Sequence, residues 1–198
     1  MRKFMWLCVA ILSLAGPLTA QDDAGLDLRI DKIADGFDTP WAIGFLPKPE
    51  GGALITERKG KLFYVAPGGQ RYLIAGAPTV VAQGQGGLLD VMVPRDFADS
   101  REIFLSFAKR QGRGAGTALA VARLSSDRTR LSDLRVIFEM APGSSGGRHY
   151  GSRIVEASDG ALFLSIGERG DRPAAQDLMR HNGSIIRVRR DGSVPGIN

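Results

Sequence analysis

Thiols and imidazoles are nearly absent from this chain: among 198 residues there is one cysteine, Cys8, and there are two histidines, His149 and His181. Cys8 lies in an N-terminal apolar run. A chain processed beyond it carries no thiol, which excludes a disulfide framework and any cysteine-ligated metal centre. Long apolar runs are missing too. The one from Phe4 to about Ala15 is shorter than the roughly 20 residues that cross a bilayer. Nothing later approaches that length, so no stable membrane association is expected. Basic residues are scattered and not interleaved with aromatic ones. The densest group, "RVRR" at 187–190, is too small to read as a nucleic-acid surface. Helical periodicity is scarce, and no loop has the spacing of an EF-hand.

What is present begins with "MRKFMWLCVAILSLAGPLTAQDD": basic Arg2 and Lys3, the apolar run, a break at Pro17, and Ala20 before polar residues. That order reads as a secretory signal peptide over 1–20, with a periplasmic or secreted mature chain following. Removing Arg2 and Lys3 leaves 24 basic residues against 21 acidic, so the formal charge falls from +5 to +3. A solvated surface accounts for so mild a bias. The remaining stretch, 21–198, in a chain 43% apolar, suffices for one globular domain with a real core.

Within it, short apolar alternations recur between glycine, aspartate and proline, as an antiparallel meander requires. Strands are expected at 53–57 and 61–66, then at 88–93, 102–109, 117–125 and 134–140, then at 152–158, 161–167 and 184–190. The polar excursion 171–182 is the one plausible helical turn. A weak internal echo joins "GGALITERKGKLFYVAPGG" to "DGALFLSIGERGD" and "GSIIRVRRDGS": a Gly-Ala-Leu strand, a Glu-Arg turn and a closing strand before glycine. Repetition on this scale predicts an all-β protein, a β-propeller of four-stranded blades. At roughly 45 residues per blade, the chain covers about three to four. Because "DGSVPGIN" ends it directly after a strand, it is expected to be the N-terminal part of a longer protein.

The stretch "GSSGGRHYGSRI" (143–154) places His149 in a glycine frame. Its ring reads either as a satisfied turn histidine or as a proton acceptor, for which an imidazole with an ordinary pKa of about 6.5 is suited. Gln85, in "GQGG", is a loop amide able to donate and accept. Arg153 is able to pair with a carboxylate in bidentate fashion or to form an outward salt bridge. His181 reads as a surface residue. Glu168, Asp171 and Asp177 are hard oxygen donors to which no metal is assigned. Trp41 reads as a blade-packing residue on a core strand.

Four stretches together resemble the PQQ-dependent aldose sugar dehydrogenases, the glucose/sorbosone dehydrogenase family: "DTPWAIGFLP" with "LITERKGKL" (38–47 and 54–62), "GQGGLLDV" (84–91), "GRHYGSRIV" (147–155) and "LSIGERGDRPAAQDLMRHNGSIIRVRRDGSVP" (164–195). The resemblance implies a six-bladed propeller of which this chain covers about the first half. It implies PQQ and calcium as cofactors and an aldose sugar as substrate, oxidised at its anomeric hydroxyl to a lactone. By the same resemblance His149 is the catalytic base and Gln85 lines the pocket; with PQQ as cofactor, the carboxylate open to Arg153 would be one of PQQ's, the outward salt bridge remaining its other reading. The calcium ligands fall mainly beyond residue 198. Arg148 stands where some glucose-oxidising members carry aspartate, which points to the broader aldose branch. Two other classes remain open: a non-catalytic propeller that binds carbohydrate or protein, and a metal-dependent lactonase.

Overall fold

In the computed structural model, residues 28–196 are described; the expected signal segment, 1–20, lies outside them. The chain divides into a leading unit, Met1–Asp31, and a body, Lys32–Asn198, which holds all the regular structure described. Three antiparallel sheets make up the body. The first runs β1-β2-β3-β4 over Pro40–Phe45, Ala53–Glu57, Leu62–Val65 and Arg71–Ile74. The second runs β5-β6-β7-β8 over Leu88–Met92, Glu102–Gln111, Gly114–Leu124 and Leu131–Glu139. The third comprises β9 (Gly151–Glu156), β10 (Leu162–Ile166) and β11 (Ile185–Val188), with β10 central. Each is a meander of sequential strands, several of them joined by tight turns, as at Gly60, whose φ of +105° suits a residue without a side chain.

Side-chain alternation decides how the sheets stack, because a strand presents successive residues to opposite faces. In β7, Ala118, Ala120, Ala122 and Leu124 join Leu54, Leu62, Tyr64 and Ile74 of the first sheet in one core. The intervening Leu119 and Val121, with Phe104 of β6, join Ile154, Leu162, Leu164, Ile166 and Val188 of the third sheet in another. The middle sheet is thus apolar on both faces and packs as the filling between two others. Outward-turned Trp41, Ile43, Phe45 and Leu73 on the first sheet, and Val155, Phe163 and Ile185 on the third, are exposed. Sheets stacked in this way are blades of a propeller.

The bridge between Ala75 and Arg130, a few backbone hydrogen bonds such as that from the Leu88 N–H to Arg58 O at 3.1 Å, and buried side chains tie one sheet to the next. Thr56 Oγ1 donates to Leu89 O (2.8 Å) and accepts from the Ala42 N–H (3.0 Å). Ser106 Oγ donates to Ser152 O at 2.6 Å and accepts from the Asp90 N–H at 3.0 Å. The Asp90 carboxylate accepts from the Ile154 N–H at 2.8 Å. β5 therefore lies between β1 and β9, touching both.

The expected second and third strand sets are these second and third sheets. The first sheet adds β4 to the strands expected, and β1 is the strand expected around Trp41. The three to four blades expected are three among the described residues. The excursion 171–182 contributes only a 3-10 turn, Arg172–Gln176, started by Pro173. A one-turn helix, Phe97–Ser100, was not foreseen. Trp41 does lie on a strand, but it is 46% exposed, lining an open cleft with Leu89 and Asp90 of β5.

Thr56 gives a direct test of the inter-sheet ties. Replacing it with valine keeps the shape, removes both hydrogen bonds and leaves the buried Leu89 carbonyl without its partner, so Thr56→Val is expected to cost about 1–3 kcal/mol. Urea denaturation of the two proteins measures this; a difference below about 0.5 kcal/mol would count against a structural role for the hydroxyl.

Candidate active site

His149 immediately precedes the β9 lead-in, and Gln85 stands on the loop entering β5, so the two residues arrive on adjacent inner strands. The loops meet through their backbones. The Gln85 N–H donates to Gly147 O at 2.8 Å, and the His149 N–H donates to Gln85 Oε1 at 2.7 Å. Such an approach requires glycine: a Cβ on Gly84 would stand 2.2 Å from Gly147 O.

The His149 backbone has φ +53°, in the left-handed region. That conformation costs a non-glycine residue on the order of 1–3 kcal/mol, more than one neutral hydrogen bond returns at about 0.5–1.5 kcal/mol. Several contacts must hold it, and they are present. Tyr150 is plugged into an apolar cluster with Val81, Leu89, Ala108 and Ala115, and Thr117 Oγ1 donates to Tyr150 O at 2.9 Å. Gly167 has no room for a side chain, since its Cβ would stand 1.9 Å from His149 O.

The imidazole Nδ1 pairs with Glu168 Oε1, which also accepts from the Gly170 N–H at 3.2 Å. A carboxylate on Nδ1 accepts a proton from it, so in the neutral imidazole Nε2 carries the lone pair. The His149 side chain is 46% exposed and that of Glu168 21%, so the free nitrogen is open to a ligand while its partner is sheltered. The hydrogen bond to His149 is the main cause holding the Glu168 carboxyl below its ordinary 4.5, against a smaller upward push from burial. Guanidinium groups border the loops: Arg58 Nη1 donates to Gly84 O at 2.6 Å, and Arg148 lies against Gly170.

The structure brings His149 and Gln85 together, and Arg153 stands on the wall of a neighbouring cleft. The Arg153 guanidinium, 70% exposed, pairs with Asp90 at 3.2 Å on the wall of a cleft of about 480 Å³ shared with Trp41, Ile43 and Phe45. Burial pushes the Asp90 carboxyl up, opposed by the Ile154 N–H and by Arg153. His181 is half-buried rather than on the surface: its Nδ1 accepts from the Ala141 N–H at 3.0 Å, and its ring meets Phe138 edge-on at 5.2 Å. Asp171 and Asp177 pair with Arg180. Among the described residues no three His, Cys, Asp or Glu side chains come together as a metal site.

Glu168 is the residue sequence reasoning misplaced, grouping it with two aspartates as an oxygen donor. Its signal was the Glu-Arg echo. Glu57 and Glu168 stand at the ends of corresponding strands, and both turn back onto a preceding loop, Glu57 by accepting the Asp38 N–H at 2.7 Å.

Blades stacked face to face, with an imidazole–carboxylate pair and an amide meeting on glycine loops, define a propeller with a polar candidate site where two blades meet. The profile of the family described as "Glucose / Sorbosone dehydrogenase" matches residues 37–198, and the chain belongs to that family. It is 39% identical over 200 residues to the aldose sugar dehydrogenase YliI of Escherichia coli (strain K12), covering 100% of this chain and 53% of that protein. The apo-form structure of the soluble aldose sugar dehydrogenase of Escherichia coli superposes with a TM-score of 0.81 at 41% identity, over 85% of this chain and 49% of that one. A PQQ-bound aldose sugar dehydrogenase from Streptomyces coelicolor gives a TM-score of 0.73 at 26% identity, over 82% and 48%. The chain spans about half the length of the curated relatives it matches.

The lowered Glu168 carboxyl has a pH consequence. A carboxyl whose folded value lies below its unfolded one adds stability above the unfolded value and loses it as pH falls through the folded one. On acidification below about 4.5, wild-type stability is expected to fall more steeply than that of Glu168→Gln. Urea midpoints across the acid range measure this, and parallel curves would show that the pair contributes nothing to folding.

Proposed function

We infer that this chain forms the base-bearing part of an exported quinoprotein that oxidises aldose sugars at the anomeric hydroxyl to lactones, in the periplasm or outside the cell. The observation that supports this most is the orientation of His149, with Nδ1 committed to Glu168 and Nε2 open. That nitrogen takes the hydroxyl proton as the C–H bond at the same carbon breaks, a role a positioned imidazole fills well. Glu168 stabilises the imidazolium that results and keeps the ring from turning. Gln85 spends its oxygen on the His149 backbone, which leaves its amide nitrogen as the donor a ligand would meet.

The residues present fit one side of a flat, carboxylate-bearing quinone. Gly147 has φ +62°, and nothing lies within 3.5 Å of where a Cβ would stand, the nearest atom being Gln83 O at 3.6 Å. Arg58 and Arg148 supply positive charge beside it. PQQ, when bound, supplies the two-electron acceptor. Arg153 is the proposed partner of a PQQ carboxylate, with Asp90 holding its guanidinium from behind. Calcium is proposed to act with PQQ through residues outside those described, and no step here relies on it.

The test is dye reduction by the purified full chain supplied with PQQ and calcium, across several aldoses. Turnover is expected, and His149→Ala is expected to lower it by about 10²–10⁴-fold. Lactone hydrolysis without PQQ would replace this reading with a lactonase, and stabilisation by sugar without turnover would replace it with a binding module.

A further inference from the structure

Arg169 is 3% exposed although it carries a full charge. A guanidinium taken out of water is costly unless its donors are met, and among the described residues this one forms no carboxylate ion pair. Nη1 donates to Arg148 O, Nη2 reaches Ala115 O at 3.4 Å, and the group lies over the Tyr150 ring with its carbon 3.3 Å from the centroid. Its Nε has no partner. Arg169 therefore grips the residue before His149 by its carbonyl and the residue after it by its ring, without touching His149.

The backbone of Arg169 is itself left-handed, φ +61°. That turn sends two successive side chains to one target, Glu168 to the His149 ring and Arg169 to the flanking chain. An independent observation matches it. Arg58, in the other Glu-Arg pair, caps Gly84 O at 2.6 Å, beside the residue that holds the His149 N–H. The two echoed arginines thus fix the two loops whose meeting forms the site.

We propose that Arg169 is a positioning residue that sets the ring orientation of His149, by clamping Arg148 and Tyr150 so that Nδ1 meets Glu168 and Nε2 faces outward. Burial lowers the Arg169 pKa from its ordinary value, as expected of a guanidinium held by neutral groups. The positioning itself is a matter of geometry. Its catalytic meaning rests on the role inferred above for His149.

The experiment exploits the scarcity of histidine. With only His149 and His181 in the chain, long-range nitrogen–proton correlation spectra of labelled full-length protein resolve both rings and report the tautomer of each neutral form. Wild type is expected to show His149 with its proton on Nδ1 alone. In Arg169→Met both tautomers of His149 are expected, while His181 keeps its signals and so reports an intact fold. Glu168→Gln, whose amide either accepts from Nδ1–H or donates to a bare Nδ1 and so no longer selects one tautomer, is expected to give the same mixture. A single, unchanged His149 tautomer in a folded Arg169→Met would overturn the proposal. If that variant does not fold, Arg169→Lys decides: it keeps the charge but cannot both lie flat on Tyr150 and reach Arg148 O. Mixed tautomers are then expected, and a wild-type ring would overturn the proposal just as firmly. Neither readout needs cofactor or turnover, so an inactive wild type would sink the inferred reaction and leave this result to stand or fall by itself.

Discussion

His149 and Gln85 are 64 residues apart in the chain and enter different sheets, so the site exists only because the sheets pack face to face. The apolar cores provide attraction without direction: they press the second sheet between the first and third but do not fix how far one slides along another. Direction comes from a few buried polar atoms, Thr56 on β2, Asp90 on β5 and Ser106 on β6, each reaching a backbone group of the neighbouring sheet. An unpaired buried group is expensive, so these contacts define the alignment more sharply than the apolar surfaces do. The meeting of the Gln85 and His149 loops inherits that alignment.

The fold was legible where its physics is local. The second and third sheets follow from alternation and turn residues, and β6 and β7 differ from their expected bounds by two or three residues at an end. β4 was missed as a strand, because "RYLI" leaves three of its four residues exposed and so lacks the half-buried pattern that marks a strand. The site was legible in part. His149 and Gln85 stood out by glycine context and by resemblance, whereas Glu168 and Arg169 act through partners 19 and 21 residues away, which no spacing in the sequence reveals. Arg153 illustrates the converse. Its side chain was legible as a carboxylate binder, but the nearest carboxylate, Asp90, comes from a different sheet.

Charge is handled differently at the two ends of β9. At its far end Arg190 joins Asp96 and Glu156 in a partly exposed network, where pairing is cheap and water is near. At the His149 end the buried cation, Arg169, is met by carbonyls and an aromatic face. A carboxylate partner for it there would compete for Arg169 with the contacts that steady the loop, and would add a second negative group close to Glu168.

The contact between Gly84 and Gly147 carries a consequence for how this sequence is able to diverge. Most tight contacts in a core are negotiable, because a larger residue on one side is matched by a smaller one opposite. Here the atom facing Gly84 is a main-chain oxygen, which no exchange of residue type makes smaller. A methyl gained at position 84 has no compensating change at 147, so drift at this point is blocked on one side regardless of what happens on the other.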